Sequence, residues 1–340
     1  LNMAQYVIRR LLLAIFVLFG VLIITFVLSH TIPGNPVVAW LGRGASLHPA
    51  LAKLYAEKYH LNDPLWIQFY YYVINLVQGN LGYSPTDGFI PVTAVIRQKF
   101  PYTLQIAFFA FVISVGVGVF LGVISAKYHH SSLDYTIKSL YLTGVSSPAF
   151  LTALVLLIIF TYAFKILPSG GAANPTIGTP PPITGIPMLD SIMEGNFTYF
   201  LSALKHVILP STAMAIGMFG FIVRVLRNSL LDVMRMNYIK TARAKGLSEN
   251  IVFFKHALRN AFVSVITIAS IITTWLITET IFVETIFTYP GIGQYVFVAL
   301  TGKDYPGILG VTLLFALIIV IVNLASDILY AAVDPQIRYG

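Results

Sequence analysis

Residues Tyr238 to Asn260 read YIKTARAKGLSENIVFFKHALRN, a basic, glycine-punctuated stretch between two hydrophobic runs long enough to cross a bilayer. Asn228 to Lys245 contains few helix breakers and is expected to be helical. Gly246 is placed to end that helix in a left-handed turn, and Ser248 to cap a short second helix carrying Ile251, Val252, Phe253 and Phe254. Consecutive apolar residues cannot share one face of a helix, so some of these are expected to enter the membrane surface or a partner's pocket. Arg243, Lys245, Lys255, His256 and Arg259 surround them. Charge alone leaves two readings open: a basic loop that fixes topology and touches anionic lipid, or a handle on which another protein docks.

Composition places the stretch in a membrane chain. At 57% hydrophobic and 10% charged, with a mean hydropathy of +0.82, the 340 residues lack the polar surface to cover a soluble globule. Runs at Leu11 to Ser29, Leu104 to Ser125, Leu140 to Phe164, His206 to Val225, Val263 to Phe282 and Gly307 to Leu329 approach the roughly 20 residues a helical span needs, so six spans are expected. The first follows Arg9 and Arg10, is too long for a signal-peptide core and has no small-residue cleavage site after it, which reads as a retained anchor. Pro148, Pro210 and Pro306 lie near or inside the runs, where a membrane helix tolerates a kink if its neighbours satisfy the freed carbonyls.

Arg9 and Arg10, Lys127 and Lys138, the cluster from Arg224 to Arg259, and Arg338 all fall on one side of this arrangement. The positive-inside rule makes that side cytoplasmic, with both termini inside a multi-pass protein of the cell membrane. The expected organisation is a tail and first helix (1–30), an extracytoplasmic insert (31–101), a five-helix core (102–334) with a cytoplasmic loop (226–260), and a C-terminal tail (335–340). The net charge of +8 therefore expresses topology and attraction to membrane lipid. No basic patch carries a recognition motif for nucleic acid.

The insert is too long for a plain loop. Asn62 or Asp63 is expected to cap a helix with Pro64 at its first position, followed by Trp66, Phe69, Tyr70, Tyr71, Tyr72, Val73 and Leu76. Such aromatic density suits a membrane interface, as a platform for another protein or as packing against the outer ends of the spans. Leu167 to Asn196, with Pro180-Pro181-Pro182, is expected to be an extended outer loop without regular helix.

Catalytic signatures are missing from the sequence. There is no cysteine, no H-E-x-x-H, no G-x-S-x-G and no Walker A motif, since Gly302-Lys303 lacks the upstream glycine and precedes Asp304. His129 and His130 are adjacent, which on a helix points them apart and suits an interfacial pair better than a metal site. No catalytic or metal-binding residues are expected. Ionisable groups in or beside spans are costly in hydrocarbon and mark candidate functional positions: Glu279, and Glu284, Asp327 and Arg224, which lie near span ends and read more readily as interfacial. Glu279 is the most interior and lies four residues after Trp275 on the same helical face; a pathway position, a structural hydrogen bond and a subunit contact all remain open for it. Tyr289-Pro290-Gly291-Ile292-Gly293 forms a turn able to bend the chain back into the membrane, because glycines allow close backbone approach.

Thr241-Ala242-Arg243-Ala244-Lys245-Gly246-Leu247 resembles the cytoplasmic coupling loop of ABC importer permeases, specifically those of the oligopeptide/dipeptide family. Pro33-Gly34-Asn35-Pro36, Gly79-Asn80-Leu81-Gly82-Tyr83-Ser84, the segment Glu284 to Gly293, and Asp334-Pro335-Gln336-Ile337-Arg338 extend the resemblance in order over most of the chain. Against the broader E-A-A-x-x-x-G pattern, Lys240, Thr241 and Ala242 take the first three places, and His256-Ala257-Leu258-Arg259 replaces the later I-x-L-P; both departures suit the peptide branch. Asn35 and Asn80 stand where the family often has Asp, which removes any charge-based inference about substrate.

The resemblance implies an all-α integral membrane protein of type I ABC importer permease architecture, with six transmembrane helices and an insert between the first two. It implies a second homologous permease subunit, two cytoplasmic ATP-binding subunits that hold ATP and Mg, an external substrate-binding protein, and no cofactor or enzymatic activity in this chain. Contacts with the ATPases fall to Arg243, Lys245, Gly246, Leu247, Ser248, Glu249, Ile251, Phe254 and His256. Pathway or gate candidates are Trp275, Glu279, Glu284, Tyr289, Pro290 and Gly291. Di- or oligopeptides are the expected cargo, with oligosaccharides, nickel or other solutes as alternatives within the family. A self-contained secondary transporter or channel is the alternative of another class, and it would work without ATPases.

Overall fold

The computed structural model describes residues 3–31, 53, 56–57 and 60–333, so the expected motifs at Pro33 to Pro36 and Asp334 to Arg338 lie outside the described residues. The elements are α1 (Met3–Thr31), α2 (Leu65–Val77), β1 (Tyr83–Ser84), β2 (Ile90–Pro91), α3 (Val92–Lys127), α4 (Ser132–Ser146) and α5 (Ala149–Ala163). After them come α6 (Pro187–Glu194), α7 (Phe197–Val233), α8 (Asn237–Ala244), α9 (Glu249–Ile286), α10 (Ile292–Gly302) and α11 (Tyr305–Val333). Among the described residues, 4 helices (α3, α7, α9 and α11) are long and apolar enough to cross a bilayer, or 5 if the bent pair α4 and α5 counts as one span. The α1 stretch Leu12–Leu28 is a shorter apolar helix.

At the centre stands α7, whose apolar window is 72% buried. Its neighbours reach it through small residues: a Cβ placed on Gly118 of α3 would lie 2.6 Å from Ile222 Cβ, so only glycine lets these two helices approach so closely. Around α7 the buried cluster gathers Ile106, Val207, Met214, Ile222, Leu226, Ile272 and Leu276 from α3, α7 and α9. α1 packs separately, with Leu22 and Phe26 against Phe69 and Tyr72 of α2 and Tyr305, Ile308 and Leu309 of α11.

The helices depart from the sequence expectations first at the bend between α4 and α5, at α6 and at the start of α2. The run Leu140 to Phe164 is not one straight helix: α4 and α5 meet at 107°. Pro148 forces the residue before it out of the helical region, and Ser147 accordingly takes φ −94 and ψ 120. Leu167 to Asn196 does contain a helix, α6, with Pro187 in its first turn and Gly195 closing it at φ 79. Burial alone would raise the pKa of Asp190 in that helix, but donors from Thr184 and Gly185, at 2.5 to 3.2 Å, outweigh it and hold the carboxyl below its ordinary range. α2 begins one residue later than expected: Pro64 occupies the N-cap, and no side chain of Asn62 or Asp63 caps the helix. Gln68 instead reaches back, donating Nε2 to the Asp63 carbonyl at 2.8 Å.

The aromatic face of α2 divides. Phe69 and Tyr72 pack inward, with Phe26 and Phe69 centroids 5.2 Å apart, whereas Trp66 and Tyr70 are exposed. Beyond α2, Asn80 Oδ1 accepts from Gly82 N at 3.0 Å, tightening the loop that leads into the small hairpin where Tyr83 pairs with Pro91. Ser84 and Thr86 then donate their hydroxyls to the buried Asp304 carboxylate at the turn between α10 and α11, whose Oδ1 also accepts from Gly307 N at 2.7 Å.

Candidate coupling surface and transport pathway

α7 ends at Val233, not at Lys245 as the sequence suggests; residues 234–236 turn, and α8 starts anew at Asn237. Gly246 follows α8 at φ 78, a left-handed conformation that side chains other than glycine's adopt at a cost. Its N–H donates to the Arg243 carbonyl at 2.9 Å. Ser248 takes the N-cap position of α9 with extended backbone, but its hydroxyl makes no capping bond. The two helices are held otherwise. Arg243 Nε donates to Glu249 Oε1 at 2.7 Å and Nη2 to Oε2 at 3.2 Å, and Asn260 Nδ2 donates to the Tyr238 hydroxyl at 2.6 Å.

The expected short helix after Ser248 is not separate. Through a π-helical turn at Val252–Ala257 it continues into the following span, so α9 is one element of 38 residues. Val252 and Phe253 are buried, while Ile251 and Phe254 remain 43% and 46% exposed, which divides the apolar quartet as helical geometry requires. Lys127, at the end of α3, donates to Asn250 Oδ1 at 3.3 Å and sits 5.1 Å from the centroid of the Phe254 ring. Arg243, Lys245, Gly246, Leu247, Ser248 and Glu249 are exposed on the same end, and His256 is half-buried.

Behind this surface lies a charge cluster that the sequence reading missed. The Asp134 side chain is fully buried and accepts from Arg227 Nε and Nη2 at 2.9 Å each, from Ser125 Oγ at 2.5 Å and from the backbone N–H of His130 at 3.1 Å, while Lys138 Nζ lies at 3.0 Å. It joins α3, α4 and α7. His129 and His130 do not point apart on a helix: they lie in the turn after α3 and stack at 3.7 Å, and His129 Nδ1 is 3.1 Å from Arg227 Nη2. Lys138 and Arg227 read in sequence as topology markers; their shared acceptor, Asp134, carries no local signal.

At the other end of α9, Glu284 is completely buried, where a position near a span end suggested an interfacial side chain. Thr103 Oγ1 donates to its Oε1 at 2.7 Å, and Gln294 N donates to Oε2 at 3.0 Å. The carboxylate thus sits over the first turn of α10 and ties it to α3. Tyr289 is also buried, with its hydroxyl accepting from Gln105 Nε2 at 2.9 Å. The Tyr289 to Gly293 turn does bend the chain back, and α10 packs against α9 and α11. A Cβ on Gly293 would meet the backbone of Ile281 at 2.6 Å and of Thr280 at 2.8 Å. Gly293→Ala is therefore expected to force α10 off α9 and to cost about 1–3 kcal/mol, read as a fall in the unfolding temperature of the purified protein; an unchanged temperature contradicts this packing.

Between these ends, Trp275 is exposed and its ring meets Phe221 of α7 edge-on at 5.4 Å. Glu279 is half-buried, and its Oε2 has no hydrogen-bond partner. On the opposite face of α9 a cleft of about 430 Å³ is lined by Phe111, Val115, Phe262, Ile266, Ala269 and Val322 among others. No ionisable side chain lines it, so it offers nothing to hold a charged solute. Among the described residues no group of His, Asp and Glu is arranged to hold a metal ion.

A bundle of apolar helices around a buried α7, with a polar and aromatic surface at one end of its longest helix, defines a multi-pass α-helical membrane protein. The family described as binding-protein-dependent transport system inner membrane component matches residues 118–339, and its N-terminal membrane-component family matches residues 3–107. The chain is 39% identical to the dipeptide transport system permease protein DppB of Alkalihalophilus pseudofirmus, over 99% of this chain and 100% of that one. It is 35% identical to the oligopeptide transport system permease protein AppB of Bacillus subtilis, over 99% and 100%. A chain of the MetNI methionine ABC transporter, solved in inward-facing conformations, matches 71% of this chain and 96% of its own length with a TM-score of 0.54 at 16% identity, a likeness of fold alone. The protein belongs to the inner-membrane components of binding-protein-dependent transport systems, within the dipeptide and oligopeptide permeases of ABC transporters.

Proposed function

We propose that this permease carries di- and oligopeptides inward as one of two homologous membrane subunits, fed by an external binding protein and driven by two ATPases that hold ATP and Mg. Relatives named as dipeptide and oligopeptide transport permeases support peptides as cargo. In this reading α1 is the first of six spans of a type I importer, both termini are cytoplasmic, and residues 31–101 form an outer insert.

The observation that carries the mechanism is the continuity of α9 from Glu249 to Ile286. From Ile251 to Glu284 such a helix rises about 50 Å. A push on Ile251 and Phe254 at one end is delivered to the Glu284, Tyr289, Pro290 and Gly291 turn at the other, through an element that has no loop to absorb it. Glu284 passes the displacement to α10 and α3 through its bonds to Gln294 and Thr103. Arg243 and Glu249 hold α8 against α9, so they shape the docking surface and are not free contacts for the ATPase. Lys245, Leu247 and the two exposed apolar anchors remain for it, with His256 at its margin.

Purification in mild detergent is expected to bring along two ATPases and a second permease, identified by mass spectrometry. Phe254→Ala is expected to weaken retention of the ATPases roughly 30-fold, the loss of about 2 kcal/mol typical of a buried aromatic anchor, while the second permease stays bound. A Phe254→Ala chain that holds the ATPases as tightly as the unaltered protein contradicts the placement of the docking surface.

A further inference from the structure

α7 and α9 run antiparallel: Ser229 Oγ and Ser264 Oγ are 3.1 Å apart, and eight residues earlier on α7 Phe221 meets Trp275, eleven residues later on α9. α7 is buried over most of its length, but Phe221 is half-buried and Arg224 and Asn228 are exposed along one stripe. The facing stripe of α9, Ile271, Trp275, Thr278 and Phe282, is exposed too. The two stripes meet at the Phe221 and Trp275 rings and share an open face.

Oppositely charged groups flank that aromatic pair. One turn beyond Trp275 stands Glu279, and one turn before Phe221, at the same level on the facing helix, stands Gly217. A Cβ on Gly217 would meet nothing within 4 Å, so α7 leaves room at the level of Glu279, whose Oε2 is itself buried and without a partner. On the other side of the rings, three residues after Phe221, Arg224 is exposed. The rise from the level of Gly217 to that of Arg224 is about 10 Å. An extended tripeptide backbone spans about the same, at roughly 3.3–3.6 Å per residue.

We propose that Glu279 and Arg224 are the two poles of a transient site for a short zwitterionic peptide, Glu279 receiving the α-ammonium group and Arg224 the terminal carboxylate, with Trp275 and Phe221 under the backbone between them. The site rests on the peptide reading given above. It explains why a carboxylate unpartnered at Oε2 is kept in a membrane span, since the ion that neutralises it arrives with the cargo. Opposed charges at a fixed spacing also set the direction in which an extended chain passes.

The test is equilibrium binding of a radiolabelled tripeptide to the complete detergent-solubilised complex without its binding protein, competed by the same peptide N-acetylated or C-amidated. Each blocked form is expected to compete at least tenfold less well with the unaltered complex, the loss of one charge-assisted contact. Glu279→Gln should erase the penalty for acetylation and keep that for amidation, and Arg224→Gln the converse. Equal competition by free and blocked peptides, or no binding of tripeptide, overturns the site; if a variant fails to assemble, the competition series on the unaltered complex decides alone. ATP-driven uptake of the free tripeptide, with binding protein present, reads the proposed function by itself. Uptake without discrimination at the complex removes only the site, and absence of uptake removes both.

Discussion

Gly246→Pro is expected to abolish ATP-driven transport while leaving the chain inserted in the membrane. Gly246 has φ 78, and proline is locked near −65°, so the turn between α8 and α9 cannot form with proline in place. The substitution also removes the N–H that donates to the Arg243 carbonyl at 2.9 Å. With the turn reshaped, the Arg243 and Glu249 side chains cannot keep their paired geometry, and α8 detaches from the start of α9. A docking surface assembled from both helices then loses its form, and ATP closure has nothing rigid to push. Uptake into reconstituted vesicles should fall by at least ~10-fold with the amount of inserted protein unchanged. Gly246→Ala, which costs only the roughly 1–2 kcal/mol of a left-handed alanine, should retain most of it. Undiminished uptake by a well-inserted Gly246→Pro protein would rule out this surface as the point of coupling.

The second large effect lies one layer deeper. Asp134→Ala leaves the guanidinium of Arg227, 10% exposed, without its bidentate acceptor, and strands Lys138 beside it. Breaking a buried pair from one side costs about 3 kcal/mol, because the remaining charge stays desolvated. The protein should therefore unfold at a distinctly lower temperature and its α4 should loosen from α3 and α7. Replacing both partners, Asp134→Leu with Arg227→Leu, should recover much of the loss, since the buried guanidinium goes with its acceptor and only the partly exposed Lys138 is left to turn to solvent. If the double variant loses as much stability as the Asp134 and Arg227 single variants added together, Asp134 and Arg227 act independently and the cluster is not a unit.

Local pattern made part of this legible. Long apolar runs announced α3, α7, α9 and α11, because a span is a property of consecutive residues. Gly246 was readable as a left-handed helix end, and the split of Ile251 and Phe254 from Val252 and Phe253 follows from helical geometry alone. The bend at Pro148 was harder to foresee, since prolines inside α3 and α7, Pro101 and Pro210, leave those helices unbroken. Whether a membrane proline ends a helix depends on what satisfies the freed carbonyls, which is tertiary information. The same holds for the polar anchors. Asp134 and Arg227 are 93 positions apart, Thr103 and Glu284 are 181 apart, and Ser84 and Asp304 are 220 apart, so no short window of sequence contains any of the three pairs. Glu284 illustrates the consequence: its place near a span end suggested an interfacial acid, and the fold makes it a buried tie between α3, α9 and α10.

Solute flux across vesicles made with this chain, measured for the full complex and for the chain alone, with and without ATP, separates an ATP-driven permease from a self-contained transporter. Uptake of peptide only by the full complex, only with ATP, and lost on Gly246→Pro, is the result expected of an importer permease moved through α8 and α9. Peptide uptake by the chain alone in ATP-free vesicles would contradict it, and would make the protein a self-contained transporter.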